Sequence, residues 1–378
     1  MIYFAELGQN PELSLAEILA VYPKIKILFR TDKAVIFESS EEPNIEKLGG
    51  TPKLGKVIGE GKSLKEIILT ELKKESKEKK IFFGISFYGA KSDNNLGRTI
   101  KNILTDDGYK VRWVTGKEKI LSSVIVKTNK LLRRGGEFCI LPSSSLSTRG
   151  RKEEGVWVAK TIDVQDFFDY EFRDMKRPAR DLVSGMTPPK LAKMLINLGG
   201  ASDEVLDPFC GSGTLLMEAA LLGIKDIYGS DISEKAVDDS KKNIVWLKEK
   251  YQLSSMAFSE IKKCDVNNLQ ECWQKKFKLI VGEPYLGPAI RGGLSFEKAK
   301  NLQKELEENY DRYLKGLSDS LKKNGKLVLI VPFMITAEKI FYLDIDIKKY
   351  GLESIHELIL YSRPDQKIGR QIYILKKT

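Results

Sequence analysis

Residues 204–223, EVLDPFCGSGTLLMEAALLG, decide the reading of this chain. A strand-like run ends at Asp207, a turn follows that contains Gly211 and Gly213, and an apolar helix begins near Thr214. That order lets backbone come close to a ligand at a helix N-terminus, because glycine tolerates the turn and leaves room beside it. The third glycine of the dinucleotide pattern G-x-G-x-x-G would stand at Leu216, so a nicotinamide cofactor does not fit.

Outward from this stretch the grammar is strand and helix in alternation. The helix PPKLAKMLINLGG precedes it. After it come the strand IYGSD, the helix SEKAVDDSKKNIVWLKEK, a strand over 256–261, the strand KLIVG, a helix over 296–323 stopped by Asn324-Gly325, and the strand KLVLIVPF. Such alternation predicts a mostly parallel sheet covered on both faces, an α/β Rossmann-like domain over 181–378. Residues 1–60 read as a small α+β unit, with a helix opened by Pro11 and Ser14 as its candidate cap. Residues 61–145 repeat the mixture, and 146–180 are poor in periodicity and read as a linker.

Composition narrows the chemistry. With 378 residues, 42% of them hydrophobic, the chain exceeds what one core organises. No apolar run is long enough to span a bilayer and the start lacks the zones of a signal peptide, so a cytoplasmic protein without a membrane partner is expected. The four cysteines contain no C-x-x-C pair and are expected to be buried free thiols; His356 is the single histidine, which argues against Ser-His or Cys-His catalysis. Gly61-Lys62-Ser63 resembles the end of a phosphate loop, but the required earlier glycine falls on Lys56.

The net charge of +11 is concentrated upstream: residues 1–180 hold 33 Lys and Arg against 25 Asp and Glu. Between Lys91 and Arg151 there are 13 basic and five acidic residues, a balance suited to phosphate contacts; Lys127, Lys130, Arg133 and Arg134 are the candidates there, RNA-binding in what the resemblance given below implies.

Two acids downstream of the glycine turn extend the binding site. Asp231 ends the next strand, where an acid accepts hydrogen bonds from ribose hydroxyls. Asp265, in KKCDV, follows the third strand. The segment KLIVGEPYLGP then carries the catalytic candidates. An acid beside an aromatic residue can hold an amine hydrogen and the face of a planar ring.

The run DPFCGSGT resembles the first motif of amino-group methyltransferases with a seven-stranded sheet, whose acceptor motif is Asp or Asn, Pro-Pro, then an aromatic residue. In one register Glu283-Pro284 supply the acid and first proline, with Tyr285 as a displaced stacking residue; in the other Gly282 stands at the acid position and Pro284-Tyr285 match the end. The first keeps a carboxylate and is preferred. The resemblance assigns cofactor contacts to Asp207, Phe209, Gly211, Gly213 and Thr214, to Asp231 and Ile232, and to Asp265 and Val266, with S-adenosylmethionine as cofactor and Glu283, Pro284 and Tyr285 as the catalytic set.

A wider resemblance rests on YFAELGQNPELSLAEI, LGGTPKLGKVI, FFGISFYG, LSSVIVKTNKLLRRGGEF, RPARDLVSGMTPPKLAKMLINL and YSRPDQKIGRQIYIL. Together they look like the THUMP-bearing tRNA guanosine-10 N2-methyltransferases, over nearly the whole length. The resemblance implies a ferredoxin-like unit over 1–60, a THUMP domain over 61–145 and a closing antiparallel hairpin. It also implies N2-methylguanosine or its dimethylated form as product, tRNA as partner and an accessory methyltransferase-activating subunit. Open alternatives are a guanine elsewhere in tRNA, a DNA amino-methyltransferase, and a tRNA-binding homologue without catalysis.

Overall fold

The computed structural model describes residues 1–61, 63–146, 152–181, 186–253, 258–290, 292–363 and 366–378. Lys62, Arg149, Arg151 and the start of the strand expected at 256–261 lie outside them. The chain forms two compact units, Met1–Phe167 and Phe168–Thr378. Among the described residues no helix is long and apolar enough to cross a membrane.

The first unit opens with β1 (Ile2–Glu6), α1 (Pro11–Val21), β2 (Lys26–Arg30), β3 (Ala34–Glu38) and β4 (Lys53–Gly61). Pro11 starts α1 as expected, but its cap is Asn10, whose side chain accepts the Leu13 N–H. Ser14 instead donates to the Gly50 carbonyl. Strands β4, β1, β3 and β2 lie in that order, as in a ferredoxin-like unit, with a 3-10 turn at Ile45–Lys47 where a second helix would stand. There follow α2 (Leu64–Leu72), β5 (Ile81–Phe87), α3 (Leu96–Asp106), β6 (Val111–Val114), α4 (Ser123–Thr128), β7 (Gly135–Leu146) and β8 (Lys152–Val164).

All eight strands share one sheet, in the order β2-β3-β1-β4-β8-β7-β5-β6. The two small units expected upstream are therefore one layer, joined through β8. Residues 152–164, placed in a linker by the sequence reading, are the strand that does the joining. The polar stretch before it hid the β-branched run Val156–Val164.

The second unit contains α5 (Phe167–Met175, starting at the boundary), α6 (Pro189–Leu198), β9 (Glu204–Asp207), α7 (Thr214–Leu221), β10 (Asp226–Asp231) and α8 (Glu234–Tyr251). It continues with β11 (Phe258–Lys263), α9 (Leu269–Trp273), β12 (Phe277–Gly282), α10 (Phe296–Asp319), β13 (Leu321–Ile335), β14 (Ile340–Tyr342), β15 (Leu352–Ser354), β16 (Ile359–Tyr361) and β17 (Ile368–Lys377).

Its main path is the seven strands β11-β10-β9-β12-β13-β17-β15; the short β14 and β16 pair on its flank, so the sheet has nine strands and not the seven expected. Strands β9 to β13 run parallel and β17 returns antiparallel along β13. Helix α10 stops at Asp319, before the expected 323, and the chain enters β13 with Asn324 in the left-handed region. The core of this unit gathers Leu206, Phe277, Ile280, Leu306, Tyr310, Leu327 and Val331 between α10 and the sheet.

Candidate active site

Parallel strands bring the residues beyond their carboxyl ends to one edge of a sheet, and here each of four neighbours places an acid there. Asp207 ends β9, Asp231 ends β10, Asp265 lies two residues beyond β11, and Glu283 comes directly after β12. Asp207 is shut away from water. Its Oδ1 accepts the Phe209 N–H at 3.0 Å, while its Oδ2 is buried with no donor among the described residues. Burial pushes this carboxyl well above the usual carboxylate range, and the nearby charges of Asp231 and Glu283 add to the effect.

The glycine loop is fixed by Asp231, whose Oδ2 accepts the Gly211 N–H at 3.0 Å and whose Oδ1 accepts the Ser233 N–H at 2.9 Å. Gly213 has φ +84°, and a Cβ there would lie 2.4 Å from the Ser240 hydroxyl, so this position admits only glycine. Gly211, at φ +51°, borders open space. Thr214 begins α7 and accepts a hydrogen bond at 2.5 Å from the buried Arg177.

A cavity of about 160 Å³ brings together Asp207, Phe209, Gly211 and Thr214 on one side and Glu283, Pro284 and Tyr285 on the other. Glu283 does not stand alone in it. Its Oε1 accepts from Arg370 Nε at 2.5 Å, its Oε2 accepts the Thr187 hydroxyl, and both partners also line the cavity. Arg370 comes from β17, whose antiparallel course starts at the edge where the parallel strands end.

The geometry separates the two motif registers. A Cβ on buried Gly282 would meet the Phe209 ring at 2.8 Å, leaving no room for an acid, whereas Glu283 faces the cavity. Tyr285 is 53% exposed at the rim.

The other expected binding residues lie along the same edge but outside this cavity. Ile232 is 66% exposed beside Asp231. Asp265 caps the 3-10 turn Val266–Asn268 by accepting the Asn267 N–H at 2.9 Å, and Val266 is buried beneath it. Here one expectation fails: Cys264 and Cys272, expected as free thiols, form a disulfide across this turn. Their spacing is too long for C-x-x-C, but the 3-10 turn and the start of α9 between them fold the chain back and bring the two side chains together. Cys139 and Cys210 are free and buried.

The arrangement offers an unserved buried acceptor, a glycine cradle open to a ligand, an acid with spare lone pairs at the end of the second strand, and a braced carboxylate facing them. Residues 179–361 match the family described as RMKL-like, methyltransferase domain, and residues 35–242 match the family described as DNA methylase. The two matches overlap over the glycine loop.

The chain belongs to the second of these methyltransferase families, whose model matches more than half of it. S-adenosylmethionine is the methyl donor of this class, as expected. A tRNA (guanine(10)-N2)-dimethyltransferase of Pyrococcus abyssi is 26% identical over all of this chain and 99% of its own length. A protein of the same name from Methanothermobacter thermautotrophicus is 29% identical over 44% of each chain. The solved structure of TrmN from Thermus thermophilus has the same fold, with a TM-score of 0.55, 16% identity and full coverage of both chains.

In this methyltransferase the basic candidates fall in the first unit. Lys130, Arg133 and Arg134 are exposed just beyond α4, while Lys127 is half-buried in an ion pair with Asp166 at 2.9 Å. The sequence reading missed Arg370, Thr187 and Arg177. Each stands inside a quoted stretch, QKIGRQIYIL, GMTPPK and MKRPARD, but nothing local marks it as part of the site.

Proposed function

We propose that this methyltransferase carries a methyl group from S-adenosylmethionine to N2 of a guanine in tRNA, at position 10, giving N2-methylguanosine or N2,N2-dimethylguanosine. The observation that carries this reading is the meeting, in one cavity, of Asp207 with an unserved oxygen and Glu283 braced by Arg370 and Thr187. The full-length likeness to the Pyrococcus relative supports tRNA as the substrate.

In this reading Asp207 Oδ2 takes the cofactor's ammonium, which supplies the charge that a buried carboxylate lacks. Gly211 and Gly213 let backbone close on it, Phe209 and Thr214 wall the donor side, and Asp231 keeps lone pairs for the ribose diol. Ile232 gives the adenine an apolar face, and Asp265 with Val266 meets its edge. The cofactor supplies an electrophilic methyl. Glu283 accepts an N–H of the base amine, turning the nitrogen lone pair toward that methyl, and takes up the proton the amine sheds. A guanine reaches this depth only when turned out of its stack, with Tyr285 at the rim and Pro284 shaping the turn.

The first unit, read as the ferredoxin-like and THUMP parts, holds the tRNA through Lys127, Lys130, Arg133 and Arg134. The reaction is cytoplasmic in this proposal, and an accessory activating subunit belongs to it; co-purification checks the latter. A second reading, methylation of an amino group in DNA, draws on the match to the DNA methylase family, which ends at residue 242, before the Glu283 turn.

Mass spectrometry of nucleosides from tRNA and duplex DNA incubated with wild type and Glu283→Ala tests both readings. N2-methylguanine in tRNA from wild type only, with cofactor and tRNA still bound by the variant, is the expected result. N6-methyladenine, or methylation of DNA alone, overturns the substrate; full activity in the variant overturns the role of Glu283.

A further inference from the structure

Arg370 has more donors than its known partner uses. Its Nε is spent on Glu283 Oε1 at 2.5 Å, but among the described residues neither terminal nitrogen has an acceptor. The side chain is only 14% exposed, and Arg370 lines the cavity together with Glu283 and Thr187. A guanidinium is a rigid planar fork with five N–H donors, so fixing one edge on Glu283 also fixes where the free edge points. The Tyr361 ring, 5.9 Å from the guanidinium carbon, flanks it. Donors held this way in the cavity wall are aimed in advance at an acceptor that enters the cavity.

We propose that Arg370 is a specificity-determining residue whose free terminal nitrogens donate to O6 of the target guanine while Glu283 faces its N1–H and N2–H. The proposal rests on the guanine reading above and deepens it. The Watson–Crick edge of guanine runs donor, donor, acceptor from N2 through N1 to O6. Glu283 and Arg370 offer two acceptor oxygens and then donors, side by side and in the same order. Thr187 leaves lone pairs on Oε2 for this, since a carboxylate oxygen accepts more than one hydrogen bond. Adenine in the same pose sets its 6-amine against the guanidinium, donor against donor, and presents a C–H where the reacting amine should be. Such a mismatch is more costly than a lost contact, because it leaves buried polar groups unpaired.

The test replaces the target guanine in synthetic tRNA with 6-thioguanine, which keeps both hydrogens facing Glu283 and exchanges only O6 for a poor acceptor. Wild type should lose roughly 10- to 100-fold in kcat/KM on the thio substrate, the range for one good contact to a base edge. In Arg370→Met and Arg370→Leu, neither of which has a donor, that penalty should shrink to within about threefold, whatever each variant's activity on ordinary tRNA. Cofactor affinity measured by calorimetry should stay near wild type in both, showing an intact donor site. A wild type indifferent to the sulfur, or a variant that keeps the full penalty, overturns the role of Arg370 alone. Absence of N2-methylguanine in ordinary tRNA with wild type overturns the guanine reading, and this inference with it.

Discussion

Glu137 and Asp207 are both carboxyl groups closed off from water, one in each unit, and they are served in opposite ways. Glu137 Oε1 accepts from Lys53 Nζ at 2.7 Å and from the Ser86 hydroxyl at 2.5 Å, and its Oε2 accepts the Thr161 hydroxyl at 2.7 Å. Lys53 also donates to the Leu121 carbonyl at 2.7 Å and pairs with Glu6 at 3.2 Å, and Ser86 accepts the Leu121 N–H. Every group in that cluster is matched, and the cluster ties the segment leading into α4 to the sheet. Asp207 has one backbone donor on one oxygen and, among the described residues, nothing on the other. A buried carboxyl with all its partners is held by the architecture, whereas one left short of a donor is open to a ligand that brings one.

Removing a member of the matched cluster is the harshest way to probe this difference. Lys53→Met leaves two carboxylates facing each other in the core of the first unit and should cost about 3–5 kcal/mol of stability. Denaturant unfolding measures it, with cofactor affinity unchanged by calorimetry. A loss below about 1 kcal/mol would erase the contrast with Asp207.

On the unmatched side the effect moves from stability to binding. Asp231→Ala should weaken cofactor binding by roughly 1.5–3 kcal/mol, the worth of a hydrogen bond to a charged group, and should loosen the Gly211 turn as well. Wild-type affinity in this variant would remove Asp231 from the site.

Asp207→Asn sharpens the comparison further. Because burial raises the folded-state pKa of Asp207 above its unfolded value near 3.9, the fold favours the protonated form. The ligand-free protein therefore loses stability as pH rises from about 4 through the raised folded value. Asparagine removes that loss. The variant should be at least as stable as wild type at pH 7, with a flatter stability–pH curve, while cofactor affinity falls at least about tenfold, or ~1.4 kcal/mol. A variant that is less stable at neutral pH would place Asp207 with Glu137, as architecture.

The smallest effect is expected at the surface. Reversing charge at Arg133 and Arg134 should lower the log–log salt slope of tRNA binding by roughly 0.7–0.9 per lost phosphate contact and leave the cofactor site untouched. An unchanged slope would make these arginines ordinary solvated residues.

The parts of this protein that were readable in its sequence are those whose chemistry is local. Asp207, the two glycines and Thr214 lie within one strand–turn–helix, and the positive φ of Gly211 and Gly213 keeps them together. Asp231 and Asp265 follow from the repeat of that unit. Glu283 was legible as a carboxylate after a strand, but its partners were not, because Arg370 comes from a strand running the other way and Thr187 from the irregular segment before α6. The same holds for Lys53 and Glu137, 84 residues apart. Strand β8 was hidden for a different reason: its Lys-Glu-Glu start reads as surface, and only pairing with β4 and β7 makes it central. The Cys264–Cys272 bridge was invisible because spacing alone does not reveal which thiols a turn brings face to face.

That bridge makes the turn holding Asp265 a closed ring of chain, eight residues from one sulfur to the other. Closing a ring of that size removes on the order of 2–3 kcal/mol of conformational freedom from the unfolded chain. The freedom is surrendered when the bridge forms, so a ligand that reached Asp265 would have little disorder left to suppress there and would lose less binding free energy to ordering the loop. At the other end of the same sheet edge the grip of Thr187 and Arg370 on Glu283 is entirely noncovalent. Any adjustment that a ligand asks of this edge would fall on that end and not on the covalent ring.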